Sequence, residues 1–126
     1  MRGFPGNFIS HKNSIFIPNH STKTFVEGEV DMVSGMGYNS HHAHAGKPEI
    51  LSVVTNLGVF DFNGPNHQLQ LLSLHPGVSA DDVCSNTGFD ITIKSEVETL
   101  LPSDEELVLI REVLDPLGTR KLIFGE

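Results

Sequence analysis

Ser73-Leu74-His75-Pro76-Gly77-Val78-Ser79-Ala80-Asp81-Asp82-Val83-Cys84-Ser85-Asn86-Thr87-Gly88-Phe89-Asp90 contains a strand end, a turn, a short helix, a stop and a second strand in succession. Pro76-Gly77 breaks the extended run. Ser79 then stands in N-cap position, with Asp82 three residues on as its capping-box partner. Gly88 is expected to close the helix in a left-handed conformation. Val83 and Cys84 fall at interior positions of this helix, so Cys84 reads as a small buried hydrophobe. A reactive thiol would want a cationic neighbour, and Asp81 and Asp82 supply the opposite.

Upstream, Ile50-Leu51-Ser52-Val53-Val54 is an almost continuous apolar run, as in a strand buried on both faces. Val59-Phe60-Asp61-Phe62 alternates. Asn63-Gly64-Pro65-Asn66 turns the chain, and Gln68 to Leu74 returns as an alternating strand, which predicts a hairpin. Phe89 to Ile93 reads as a further strand. Ser103-Asp104-Glu105-Glu106 is a second capping box with an acidic first turn, and Leu107, Ile110 and Leu114 give its helix one apolar face, ended by Asp115-Pro116.

Nearer the N-terminus, Gly3-Phe4-Pro5-Gly6-Asn7 reads as a turn leading into a short apolar segment. Ser14-Ile15-Phe16-Ile17 reads as a buried strand stopped at Pro18, and Lys23 to Val26 as an extended segment. Ser34 to Pro48, rich in glycine, has no periodicity and forms a long loop, a feature that is functional or mobile when it occurs inside a small domain. The pattern is mixed α/β with about five strands and only two clear helices. That is too few helices to cover both faces of a doubly wound sheet, so the 126 residues read as one domain that is incomplete or completed by a partner.

Eight Lys and Arg against sixteen Asp and Glu give a net charge of −8, which argues against nucleic acid and anionic membrane surfaces as partners. No stretch approaches the roughly 18 apolar residues of a spanning helix, and no signal peptide opens the chain. One cysteine excludes an internal disulfide framework and fits the reducing cytoplasm. His41-His42-Ala43-His44 invites a metal, but no Cys-x-x-Cys, His-Glu-x-x-His or carboxylate pair accompanies it, so no metal site is assigned. Neither a nucleophile elbow nor a phosphate-binding loop is present.

The wording of Val53-Val54-Thr55-Asn56-Leu57-Gly58-Val59-Phe60-Asp61-Phe62 and of Leu74 to Asp90, supported by Glu105 to Gly118, resembles the C-terminal region of the β subunit of family I CoA-transferases. The branch is that of glutaconate CoA-transferase, which also contains hydrolases that open steroid rings. The resemblance implies part of an open α/β sheet of the CoA-transferase (NagB/RpiA-like) type. It also implies acyl-CoA thioesters as substrates, coenzyme A as a substrate rather than a bound cofactor, and an α subunit as partner in a hetero-oligomer. Pro18-Asn19-His20-Ser21-Thr22-Lys23-Thr24-Phe25-Val26 resembles the family's segment of a strand, a histidine, a basic residue and an aromatic; His20 and Lys23 read there as a strand end turning over the surface, with a polar contact near the active cleft as the alternative.

In the family a glycine-rich turn lies beside the thioester, which makes Gly3, Gly6 and Asn7 the substrate-binding candidates through backbone N–H groups. Phe4 and Pro5 interrupt the family's run of glycines, and proline removes one donor. The transferases' catalytic glutamate lies upstream of that turn, and no acid precedes Gly6 here. Glu27, Glu29 and Glu49 follow the turn and match no catalytic motif, so no catalytic residue is assigned. Either the chain is a fragment of a transferase, or it is part of a hydrolase whose chemistry sits in the other subunit. A scaffold or regulatory partner that completes another subunit's sheet is the alternative from a different class.

Overall fold

The structure, a computed structural model, describes residues 4–31, 37–38 and 48–124. Gly3, the His41–His44 cluster and nearly all of the Ser34–Pro48 loop lie outside the described residues. The first element is a helix, α1 (Phe4–Ser10), where the sequence suggests a turn. Proline is tolerated in a first helical turn because its missing N–H has no intrahelical partner there. The Ser10 hydroxyl donates to the Gly6 carbonyl at 2.8 Å, and the Asn13 amide caps the far end by donating to the carbonyls of Phe8 and His11.

Five strands form one open sheet in the order of the chain: β1 (Lys12–Ile17), β2 (Glu49–Thr55), β3 (Gly58–Asp61), β4 (Gln70–Leu74) and the two-residue β5 (Thr92–Ile93). β1 runs parallel to β2, and β4 to β5, while β2–β3–β4 are antiparallel. Ile15, Val53, Phe60 and Leu71 pair in one row across the sheet. Phe60 and Leu71 are fully buried there, with Val83 of α2 (Ala80–Ser85) packed in the same core. Each such side chain contributes about 1.5–3 kcal/mol through burial.

Several expectations give way to packing. β1 is an edge strand with every second residue exposed, not a buried one, because the sheet ends there among the described residues. β2 is buried along one side only. Leu51, expected in the core, falls between the pairs Asn13↔Ile50 and Ser14↔Ser52 at a register shift and is half exposed. Between Thr55 and Gly58 the apolar run folds back on itself at Asn56-Leu57. The Thr55 hydroxyl accepts the amides of Leu57 and Gly58 there and so supplies the turn that hydrophobicity alone conceals.

Lys23–Val26 is not extended. The amides of Thr24 and Phe25 both donate to the Ser21 carbonyl, closing a turn that drops Phe25 into the core. The hairpin between β3 and β4 turns at Asn66 and His67, both at positive φ (54° and 60°), with the Gln68 amide on the Pro65 carbonyl. This is the mirror-image turn that suits strand twist. His67 occupies a position that favours glycine and stacks on Tyr38 at 4.4 Å.

The Ser79 capping box of α2 is present as read, and Asn86 forms the C-cap. Gly88 is not the left-handed stop; positive φ falls instead at Gly77 of the Pro-Gly turn. Cys84 is exposed, because the buried side of α2 is the one carrying Val83. Ser103 caps α3 (Asp104–Val108), which continues as a π-helical segment, Leu109–Leu114, and ends at Asp115. A short α4 (Arg120–Phe124) follows, which the sequence pattern does not announce. The apolar face of the α3 segment is largely in solvent. Among the described residues no helix is long and apolar enough to cross a membrane.

Candidate functional site

β1 and β2 run parallel, and both end where His20 sits. The outer end of parallel strands is where open α/β sheets hold their ligands. His20 is buried with 3% of its surface exposed. Its Nδ1 lies 3.1 Å from the Thr55 hydroxyl at the end of β2, and its Nε2 lies 2.9 Å from the Thr87 hydroxyl just past α2. Its ring stacks on Phe25 at 3.9 Å, and its amide donates to Asn56 Oδ1 at 2.7 Å. His75 joins the same node through Nε2, which donates to the Thr55 carbonyl at 2.9 Å.

The hydrogen bonds around the ring fix its protonation. Thr87 donates its hydroxyl proton to the Val83 carbonyl at 2.8 Å, so it accepts from Nε2–H. Thr55 accepts two amides, and its one proton lies between the Gly58 carbonyl at 3.4 Å and the nearer Nδ1 at 3.1 Å, which accepts because Nε2 carries the ring proton. His20 is therefore neutral with its proton on Nε2, and burial lowers its pKa to about 4. With both nitrogens engaged and no exposed edge, His20 acts as a clamp between β2, α2 and the segment after β1. It is not a proton carrier at neutral pH.

Beside this clamp lies an apolar groove of about 550 Å³. Ile15, Ile17, Val53, Phe25 and Phe89 form its walls, and His67, Gln68 and Asp90 form its polar rim. A smaller depression of about 410 Å³ holds Cys84, Glu27 and Asp90. Asp61 is also buried. Burial opposes its ionisation, but hydrogen bonds from the Asn63 backbone and side chain and from Gln70, with the charge of Lys94, outweigh that and hold its carboxyl below the usual range. Both of its oxygens are thereby committed to the turn after β3.

Of the candidates read from sequence, Gly6 and Asn7 lie on α1. A β-carbon at Gly6 would meet nothing within 4 Å among the described residues. Lys23 is exposed. Glu49 pairs with Lys12 at 3.1 Å on the surface, and Glu27 and Glu29 are exposed. No group of three possible metal ligands gathers among the described residues. Sequence reading missed Thr55, Asn56 and Thr87. Their signal was a polar residue at the end of an apolar strand beside Asn and Gly, and a threonine preceding glycine at a helix end.

The open, mixed sheet with its polar node at the ends of a parallel pair is an α/β architecture, and comparison with known proteins finds the same fold in CoA-transferase chains. The chain is 46% identical over 131 residues to the cholesterol ring-cleaving hydrolase IpdB subunit of Rhodococcus jostii (strain RHA1), an alignment covering 95% of this chain and 49% of that subunit. It superposes on the crystal structure of Rhodococcus jostii RHA1 IpdAB with a TM-score of 0.84, covering 95% of this chain and 50% of the other. Glutaconate coenzyme A-transferase from Acidaminococcus fermentans matches at a TM-score of 0.75 and 26% identity, covering 97% of this chain and 48% of the other. No protein-family model matches the chain. The chain is thus similar in sequence and fold to the IpdB subunit and to glutaconate CoA-transferase, in line with the resemblance its motifs carry, and it spans about half the length of the curated relatives it matches.

Proposed function

We propose that the chain is the β-subunit portion of a CoA-transferase-like enzyme that acts on acyl-CoA thioesters together with an α subunit, in the cytoplasm. The observation that carries this reading is the 46% identity to a ring-cleaving hydrolase subunit, maintained over 95% of the chain. Coenzyme A enters as part of the substrate, with no other cofactor. Backbone donors at Gly3, Gly6 and Asn7 would face the thioester oxygen.

Ring-opening hydrolysis is favoured over CoA transfer. Transfer requires a carboxylate that attacks the thioester and carries the acyl group as an anhydride. Asp61 is committed to its turn, and the hydrolase relative is more similar than the transferase (46% against 26%). The test is incubation of the chain and its α-type partner with an acyl-CoA, trapping with hydroxylamine or borohydride, and mass spectrometry. CoA release that depends on the partner and leaves Glu27, Glu29 and Glu49 unmodified is the expected result. A modified glutamate at any of the three would assign a nucleophile to this chain. Absence of CoA release from the assembled complex would favour a scaffold that completes another subunit's sheet.

A further inference from the structure

We propose that Asn63 is a deamidation site protected by the closed turn between β3 and β4, so that its conversion to aspartate or isoaspartate follows opening of the hairpin and then keeps the turn from re-forming as built. Of the asparagines in the chain only Asn63 precedes a glycine. Glycine carries no side chain to hinder its own backbone nitrogen, so attack on Asn63 is the least obstructed. The chemistry needs only water. The Gly64 nitrogen, its proton lost to solvent, bonds to Cγ of Asn63 while the bond from Cγ to Nδ2 breaks and ammonia leaves with a proton from water. Water then opens the cyclic imide at either carbonyl, giving aspartate or, with one methylene more in the backbone, isoaspartate.

The fold engages both reacting groups. Asp61 is buried, and its carboxylate accepts the Asn63 backbone amide at 3.0 Å and Asn63 Nδ2 at 2.6 Å. The nitrogen that must leave is thus held by a carboxylate with no proton to give it, and negative charge beside Cγ opposes the anionic intermediate. The attacking nitrogen is occupied as well, because the Gly64 N–H donates to the Gln68 carbonyl at 3.2 Å. Cyclisation therefore waits for the turn to open, and its rate follows the open fraction.

The same contacts fix the labile pair in place. A β-carbon on Gly64 would lie 2.6 Å from the Gln68 carbonyl oxygen, so a side chain there displaces backbone. Position 63 needs an amide that donates to Asp61, whose charge Gln70 and Lys94 also favour. After deamidation that donor is a carboxylate facing a buried carboxylate, and two such groups at hydrogen-bond distance cannot both stay charged without strong repulsion. Reaction at Asn63 accordingly unlocks a turn whose His67 and Gln68 rim the apolar groove.

The test follows Asn63 by peptide mapping, which separates asparagine, aspartate and isoaspartate, while the 126-residue chain is incubated at neutral pH in buffer and in urea. Product at Asn63 should form about tenfold or more faster in urea. Asp61→Asn should raise the rate in buffer by about tenfold and leave the rate in urea nearly unchanged. Asn63→Asp should quicken hydrogen exchange at the amides of Gly64, His67 and Gln68. Equal rates in buffer and urea, or an Asp61→Asn rate in buffer no higher than that of the unaltered chain, would show that the turn gives no protection and overturn the proposal. Absence of product in urea removes the site altogether. Unchanged exchange in Asn63→Asp would overturn the claim that modification holds the turn open.

Discussion

The Gly88 amide donates to the Phe25 carbonyl at 2.7 Å, and a β-carbon on Gly88 would lie 2.7 Å from that same oxygen. It would also lie 2.6 Å from the Glu27 amide nitrogen. Two backbones therefore touch where the turn that buries Phe25 crosses the end of α2, with the His20 clamp between them. Phe25 and Phe89, on either side of this crossing, are also two walls of the apolar groove. The groove's shape accordingly depends on a residue that contributes no side chain to it.

Gly88→Ala should lower stability by about 1–3 kcal/mol, because the atoms it would meet, on Phe25, Val26 and Glu27, are backbone atoms that cannot swing aside. Ser85→Ala, on the exposed side of α2, should stay within about 0.5 kcal/mol of the unaltered chain. Urea denaturation midpoints compare the two. Equal midpoints would mean that the crossing at Phe25 is looser than its geometry implies.

The glycine at 88 was legible in the sequence, but its reason was not. A stop after a helix normally implies positive φ, whereas here the constraint is a backbone 63 residues earlier in the chain, which no local pattern encodes. The same division runs through the fold. Ser79 and Ser103 announced their helices because a cap is a contact over three residues. Val53 to Phe62 announced strands but concealed the fold-back at Asn56-Leu57, which Thr55 makes with its side chain. Cys84 was misplaced because a helix of six residues shows too little period to say which side faces the core. The His20 clamp joins residues 35 and 67 positions apart and left only a histidine in a familiar segment as its trace.

The two capping serines should behave differently when removed. Ser79→Ala loses a bond to the Asp82 amide at the start of a helix whose Val83 is fully buried, so global stability should fall by about 1 kcal/mol. Ser103→Ala loses the equivalent bond to Glu106 in an arm that packs on little. Its global stability should hardly change, while hydrogen exchange of 104–114 quickens. Equal global losses would show that the arm belongs to the cooperative core.

Thr55→Val keeps shape and removes a hydroxyl that receives two amides and meets Nδ1 of His20. Buried donors left without an acceptor cost about 1–3 kcal/mol. The loss should therefore exceed that of Thr22→Val at an exposed position, which should stay within about 0.5 kcal/mol. Thermal or urea melts of both variants provide the comparison, and similar losses would remove Thr55 from the centre of the clamp.

His20 makes stability depend on pH in a defined window. Its pKa falls from 6.5 when unfolded to about 4 in the fold, so between these values the unfolded chain binds more protons than the folded one. Stability therefore falls as pH drops from 6.5 towards 4 and is unaffected by this residue above 6.5. A shift of this size corresponds to a change on the order of 3 kcal/mol across the window. The aspartates held below their usual range, Asp61, Asp82 and Asp115, act below that window, as pH falls beneath about 4. His20→Gln should be less stable than the unaltered chain at pH 7, since the imidazole bridge between Thr55 and Thr87 is lost. The difference between the two proteins should shrink steadily from pH 6.5 to 4, because glutamine does not titrate. Urea midpoints at half-unit steps of pH measure that difference, and a constant gap across the window would mean that His20 is protonated at its ordinary pKa and that the clamp is open to water.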